Sequence, residues 1–228
     1  MVAASKLDPL ENTALGIAAG SIEVTLLQPM LYCKNATQQG LSFTINPRVL
    51  YRGLSTSILN MSILTGLQFP LTGAVQSVIT AGSPRQLSPS ETVSSAFLGG
   101  ALSGVACAPM ELVMIQQQRF GSSLCSTPGT IVRERTMLTG SRIGGVTGLL
   151  RGLATSCGRE GVFCAGYLGL SPTIKQWGMD AGYGAAASTV LGAVCSGVIA
   201  STLSHPMDTI KTCMQGDIQV HTLSQCAS

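Results

Sequence analysis

Charged side chains are scarce in this sequence. They make up 10% of its 228 residues, against roughly a quarter in ordinary soluble domains. The mean hydropathy is +0.39. So little charge cannot cover the surface of a soluble protein, so the composition indicates a membrane protein, with the lipid bilayer as a partner. The net charge of +3 is too small to indicate binding to nucleic acid.

The sequence also lacks the motifs of metal sites and of common enzymes. None of its eight cysteines forms a C-x-x-C pair or has zinc-like spacing. It has two histidines and neither a G-x-G-x-x-G nor a G-x-x-x-x-G-K-[ST] motif. Ser204, His205 and Asp208 follow one another along one predicted helix, which does not favour a catalytic triad. We therefore expect no enzyme, no cofactor and no metal.

Stretches without charge locate the candidate membrane spans. Three such stretches contain 32, 19 and 27 residues, between Arg52 and Arg85, Glu91 and Glu111, and Asp180 and Asp208. Two further stretches, Thr13–Tyr32 and Leu153–Trp177, are apolar apart from a few charges. About 20 apolar residues span a bilayer as a helix. The sequence therefore predicts five spans, and the basic loops 34–52 and 119–151 are expected on one side of the membrane.

Three segments of the chain repeat one pattern, at 16–38, 96–118 and 193–215. Each has proline at the same place, glycine nine residues earlier and glutamine nine residues later. These columns are Pro29, Pro109 and Pro206; Gly20, Gly100 and Gly197; and Gln38, Gln118 and Gln215. Such spacing indicates a single membrane domain, 1–228, with one repeat at 13–81, a second at 92–178 and the first half of a third at 184–215.

Each repeated column has a physical meaning. Proline inside a helix removes a backbone hydrogen bond, so kinks are expected at Pro29, Pro109 and Pro206. Small residues four apart allow close approach of helices in lipid. A shorter element follows the first two copies, as Leu-Tyr-Arg-Gly-Leu at 50–54 and Leu-Arg-Gly-Leu at 150–153.

These residues resemble the mitochondrial carrier family, whose odd helices carry P-x-[DE]-x-x-[KR]. The third copy matches it in full, with Asp208 and Lys211 after Pro206. The second has Glu111 but Met114 in place of the base, and the first has Lys34 but Leu31 in place of the acid. The resemblance implies an all-α membrane protein, a pseudo-threefold helix bundle with five transmembrane helices. The tail after Gln215 is short and polar, so a sixth helix is not expected.

The resemblance also implies a gate on the matrix side. The odd helices would be joined there by the pairs Glu111–Lys211 and Asp208–Lys34, braced by Gln38, Gln118 and Gln215. The third pair becomes Leu31–Met114. Both departures from the motif therefore fall in one pair, which leaves no charge unpartnered.

The same resemblance places a substrate site on the even helices, at Asn60, Arg159 and Glu160. An arginine beside an acid at this place is similar to amino-acid carriers, where arginine would take a carboxylate and the acid an ammonium. Alternatively, Arg159 and Glu160 pair with other helices or face the loop. Glu23 is interpreted equally well as structural or functional.

A solute transporter of the mitochondrial inner membrane is therefore expected, working by alternating access on an amino acid or another small carboxylate or zwitterion. The alternative is a truncated, non-transporting homologue that serves as a scaffold or regulator, or an incomplete gene product. That alternative is favoured by the weak gate of the even helices. Of its expected charges at positions 73, 76, 172 and 175, only Lys175 is present.

Overall fold

The computed structural model describes residues 9–42, 44–82, 85 and 87–217, with side chains from residue 18 onward. This part of the chain is helical, and no strand occurs in it. The helices are α1 (Pro9–Gln38), α2 (Pro47–Leu50), α3 (Leu54–Ile79), α4 (Pro89–Phe120), α5 (Thr127–Thr139), α6 (Arg142–Thr147), α7 (Leu153–Cys164), α8 (Ser171–Asp180) and α9 (Ala185–Gly216). The all-α class expected from the sequence is confirmed.

Three helical stretches among the described residues are long and apolar enough to cross a membrane: Pro47–Ile79, Pro89–Phe120 and Ala185–Gly216. They contain the second, third and fifth predicted spans. The first predicted span lies in α1, whose 30 residues include Glu23. Most of the tail expected after Gln215 lies at 218–228, outside the described residues.

The fourth predicted span is not one continuous α-helix. It consists of α7, a π-helical segment at Ala165–Leu170 and α8. Gly166 and Gly169 lie in the π-helical segment, and Pro172 follows in the first turn of α8. Single π-helical turns inside α-helices often occur at functional sites. This irregularity had no clear counterpart in the apolar pattern of the sequence.

Helix α4 lies at the centre of the bundle, between α3 and α7. It begins with a capping box, in which Ser88 accepts from the backbone of Glu91 and Glu91 accepts from that of Ser88. Pro109 lies inside it, as Pro29 and Pro206 lie inside α1 and α9. Most residues of α4 from Glu111 to Gln118 are buried, so this end of α4 forms the core of the bundle.

The glycines of the short loop element begin the even helices. Gly53 and Gly152 precede α3 and α7 and have φ angles of 80° and 77°. Glycine adopts this left-handed conformation without steric cost. Each also packs against a glutamine of the next odd helix: the Cβ positions of Gly53 and Gly152 lie 3.5 and 3.3 Å from the Cγ atoms of Gln118 and Gln215. The loop of one repeat is thus docked on the next.

From residue 188 to residue 208, helix α9 buries one narrow stripe of residues, four apart along the helix. Their side chains are small, apart from the aspartate at position 208. The stripe is Ser188, Gly192, Ser196, Ala200, Ser204 and Asp208. Spacing of four places these residues on one face, and small side chains allow close approach of backbones. α9 packs this face on α7, the π-helical segment and α8.

The repeated glycine column has three different surroundings. The Cβ position of Gly20 lies 3.1 Å from the flexible side chain of Met61, whereas that of Gly100 lies 2.6 Å from the carbonyl oxygen of Glu160. Nothing lies within 4 Å of the Cβ position of Gly197. The glycine of this repeated column therefore serves close helix contact in α4 but not in α9.

Replacing Gly100 with alanine is expected to destabilise the protein by about 1–3 kcal/mol, because the backbone of α7 must move away. Gly197→Ala is the matched control. It is expected to be neutral or to stabilise by up to about 1 kcal/mol, because alanine favours the helix and meets no neighbour. Thermal unfolding in detergent measures both. Equal effects of the two substitutions would contradict this packing.

Candidate functional site

A central cavity of about 610 Å³ lies between the odd and even helices. Its walls come from α1, α3, α4, α7, the π-helical segment and α9. Seven of the side chains that line it are carboxylic acids or bases: Glu23, Lys34, Glu111, Arg159, Glu160, Asp208 and Lys211. In a chain with so few charges, this concentration marks the cavity as the candidate functional site.

Six of these seven side chains form one charge-balanced cluster. Lys211 Nζ lies 3.0 Å from Glu111 Oε1, and Lys34 Nζ lies 2.7 Å from Asp208 Oδ2. The structure therefore brings together both charged pairs expected between the odd helices. Glu111 and Lys211 are almost completely buried, whereas the side chain of Lys34 is 44% exposed. The buried charges of the Glu111–Lys211 pair are therefore stabilised by each other and by the rest of the cluster. The Lys34–Asp208 pair is partly accessible to water.

Arg159 connects this cluster to the middle of the cavity. Its guanidinium forms ion pairs with Glu111 and with the neighbouring Glu160, and its Nε lies 3.6 Å from Asp208 Oδ1. Arg159 thus contacts an acid from each of α4, α7 and α9. The interpretation that Arg159 pairs with other helices agrees with these contacts. The same guanidinium also lines the cavity, so its position suits a ligand as well.

The apolar pair expected in place of the third charge pair lies beside the cluster. Leu31 and Met114 both line the cavity. Met114 is buried, and its sulfur accepts a hydrogen bond of 3.0 Å from Ser57. Among the described residues, no ion pair joins α1 to α4. Between α1 and α4, one apolar residue on each helix therefore stands in place of the third charged pair.

The three repeated glutamines have different partners. Gln38 donates to Asp208 at 3.1 Å and so braces the Lys34–Asp208 pair. Gln118 accepts a hydrogen bond of 2.7 Å from Asn35 of α1. Gln215 donates to the backbone carbonyl of Arg151 at 3.1 Å. Only the first contacts a charged pair directly, and the other two join the odd helices to their neighbours.

Glu160 is held by two residues besides Arg159. Gln68 of α3 donates to its Oε2 at 3.3 Å, and Tyr167 of the π-helical segment donates to Gln68. The side chain of Glu160 is 2% exposed. Tyr167 had no signal in the sequence. Its role depends on a helix irregularity that apolar periodicity does not reveal.

Asn60 and Glu23 line the same cavity without strong partners. Asn60 Oδ1 is buried and accepts no hydrogen bond from the described residues. Glu23 forms no ion pair with any described residue and is exposed. The three cations of the cavity lining are already paired with acids of the cluster. Neither Glu23 nor Asn60 Oδ1 therefore has a cation of the lining as its partner.

The weak gate of the even helices remains weak in the structure. Gln76 donates to Ser95 at 3.4 Å, and Lys175 forms no ion pair with any described residue. Arg85, in the loop between α3 and α4, pairs at 2.6 Å with Glu91 in the first turn of α4. Among the described residues, the charged network is therefore concentrated at one end of the cavity. No group of three or more His, Cys, Asp or Glu in this part of the chain could hold a metal ion.

The sequence is similar to two known proteins over most of its length. The chain is 25% identical over 232 aligned residues to the mitochondrial glycine transporter of Kluyveromyces lactis, an alignment that covers 88% of this chain and 77% of that protein. It is 24% identical over 227 residues to mitochondrial citrate transporter A of Aspergillus niger, covering 91% and 73%. No protein-family model matches the sequence. Both relatives are transporters, which supports the expectation that this chain is not an enzyme.

Proposed function

Because the chain is a homologue of mitochondrial carriers, we propose that it transports a small solute across the mitochondrial inner membrane as a multi-pass protein. The central cavity carries this proposal. It has room for a small molecule, and one end is closed by a charge-balanced cluster from α1, α4, α7 and α9. Transporter sites lie at repeat interfaces near mid-depth of the membrane, where buried charge is costly unless it is paired or used.

The proposed mechanism is alternating access. Lys34–Asp208 and Glu111–Lys211 close the matrix end, and Gln38 braces the first pair. Opening of that end requires these contacts to separate. Because both members of each pair belong to different helices, separation of the helices breaks the pairs without unfolding any helix.

The proposed substrate is an amino acid or another small carboxylate or zwitterion. Asn60, Arg159 and Glu160 would form the site. Arg159 can bind a carboxylate through its planar fork of donors, with Glu160 fixing its position. Glycine and citrate, named in the two relatives, both carry a carboxylate. This shared group is the chemistry that Arg159 would recognise.

A second candidate is a homologue that does not transport. The lack of a charged gate at 73, 76 and 172 favours it, as does the loss of the third charged pair at Leu31 and Met114. Such a protein would keep the bundle but would not cycle between two closed ends.

Uptake by purified protein in liposomes distinguishes the two candidates. Vesicles loaded with unlabelled glycine or citrate are given the labelled solute, and protein-free vesicles provide the background. A transporter is expected to exchange at least one of a panel of amino acids and carboxylates well above that background. Folded protein that exchanges no member of the panel would support the non-transporting candidate.

A further inference from the structure

Among the carboxylic acids and bases of the cavity lining, Glu23 alone has no ion pair with the described residues. The three cations, Lys34, Arg159 and Lys211, are each held by acids of the cluster. The lining therefore has three cations and four acids. The unmatched group is a carboxylate, so the open part of the cavity favours a positive charge.

Glu23 lies at the depth of the proposed substrate site. It stands six residues before Pro29, as Ser103 stands six residues before Pro109 in the second repeat. Around Ser103, α4 contacts Glu160 at Gly100 and Cys157 at Gly104, as shown by Cβ positions 2.6 Å from Glu160 O and 2.9 Å from Cys157 Cα. The repeat thus places Glu23 at the same depth in the bundle as the part of α7 that contains Arg159 and Glu160.

A contact between α1 and α3 places Glu23 level with Asn60 as well. One turn before Glu23, the Cβ position of Gly20 lies 3.1 Å from the side chain of Met61, the neighbour of Asn60. Asn60 Oδ1 is a buried acceptor with no donor among the described residues. A buried acceptor of this kind is unfavourable unless a ligand or water satisfies it.

Glu160 is poorly suited to take a second cation. One of its carboxylate oxygens pairs with Arg159 and the other accepts from Gln68, and the side chain is almost completely buried. The carboxylate that remains available to a ligand is that of Glu23. An ammonium donates three hydrogen bonds, which Glu23 and Asn60 Oδ1 can accept.

On the basis of the proposed transport function, we propose that Glu23 and Asn60 form an ammonium-binding subsite, so that the substrate is a zwitterion whose carboxylate binds Arg159. A tricarboxylate would bring several negative charges to a lining without an unpaired cation among the described residues. Each of its carboxylates that bound Arg159 would compete there with Glu111, Glu160 and Asp208. An amino acid adds one charge of each sign.

The test compares solutes that differ only at the ammonium. Liposomes with wild-type protein, Glu23→Gln or Asn60→Ala are assayed with labelled glycine and L-alanine, and with glycolate and L-lactate, in which hydroxyl replaces ammonium. Loss of one charge-assisted contact is expected to lower amino-acid uptake about tenfold in Glu23→Gln, chiefly by raising KM. Uptake of the hydroxy acids is expected to stay within about twofold of wild type. Asn60→Ala is expected to shift selectivity in the same direction by a smaller factor.

The outcomes separate this proposal from the transport function itself. Equal loss of both solute classes in both variants would assign Glu23 and Asn60 a structural role and overturn the subsite. Unchanged amino-acid uptake, or a wild type that carries hydroxy acids but no amino acid, would overturn it too, while transport would stand. No uptake of any of the four solutes, nor of citrate, by folded wild type would overturn the transport function. Thermal unfolding in detergent establishes folding, and Asn60→Ala decides if Glu23→Gln does not fold.

Discussion

Replacing Arg159 with glutamine is expected to reduce transport about 100-fold and to destabilise the protein by about 3 kcal/mol or more. Arg159 pairs with Glu111 and Glu160 and approaches Asp208. Without it, the cluster has two cations for three buried acids. A buried carboxylate without a partner is strongly unfavourable, and in a membrane even more so. Uptake into liposomes and thermal unfolding measure the two effects.

Two further variants show whether charge alone is sufficient. Arg159→Lys keeps the charge but presents a single ammonium in place of a planar fork, so it is expected to restore part of the stability and little of the transport. Arg142→Gln removes an arginine from the exposed start of α6, outside the cavity, and is expected to change neither. Full transport by Arg159→Lys would argue against recognition of a carboxylate by the guanidinium.

Neutralising both members of the Glu111–Lys211 pair is expected to be less harmful than neutralising either one. Glu111→Gln or Lys211→Gln alone should cost about 3 kcal/mol, because each removes the main partner of a buried charge and leaves the cluster with one charge in excess. Together they leave Lys34 and Arg159 opposite Glu160 and Asp208, again in balance. We expect a coupling energy of about 1–3 kcal/mol in a double-mutant cycle measured by thermal unfolding.

The Lys34–Asp208 pair is the matched comparison for that cycle. Lys34→Ala is expected to cost about 1 kcal/mol or less, because nearly half of the Lys34 side chain is exposed and Asp208 keeps Arg159 and Lys211 nearby. Asp208→Asn added to it should recover part of that loss. Strictly additive energies in the Glu111–Lys211 cycle would mean that the buried pair does not act as a unit.

The two charged contacts between odd helices could be predicted because the repeat has a clear register and resembles a known family. The repeat places equivalent residues of each copy at the same depth, and the resemblance implies which acid meets which base: Glu111 with Lys211 and Asp208 with Lys34. The same mapping identified Leu31 and Met114 as the apolar replacement of the third pair. Predictions of this kind need the register of the repeat together with the pairing that the resemblance implies.

The contacts of Arg159 could not be predicted in the same way. Its side chain is long and flexible, and its position on α7 does not determine which of several acids it reaches. The support of Glu160 by Gln68 and Tyr167 depends on the π-helical segment, whose extra residue per turn changes the faces that follow it. The helices α5 and α6 lie in a loop that apolar pattern alone did not resolve.

The narrow stripe of serine, glycine and alanine on α9 has a mechanical consequence. Large side chains that interdigitate across a helix interface must move past one another before either helix can shift along its axis. From Ser188 to Ser204, α9 presents no such obstacles to α7 and α8, so sliding there meets a low barrier. The ion pairs of Asp208 then hold α9 in position, at the point where the run of small side chains stops. Once the ion pairs of Asp208 break, we expect α9 to be displaced more readily than α4, which is packed between α3 and α7.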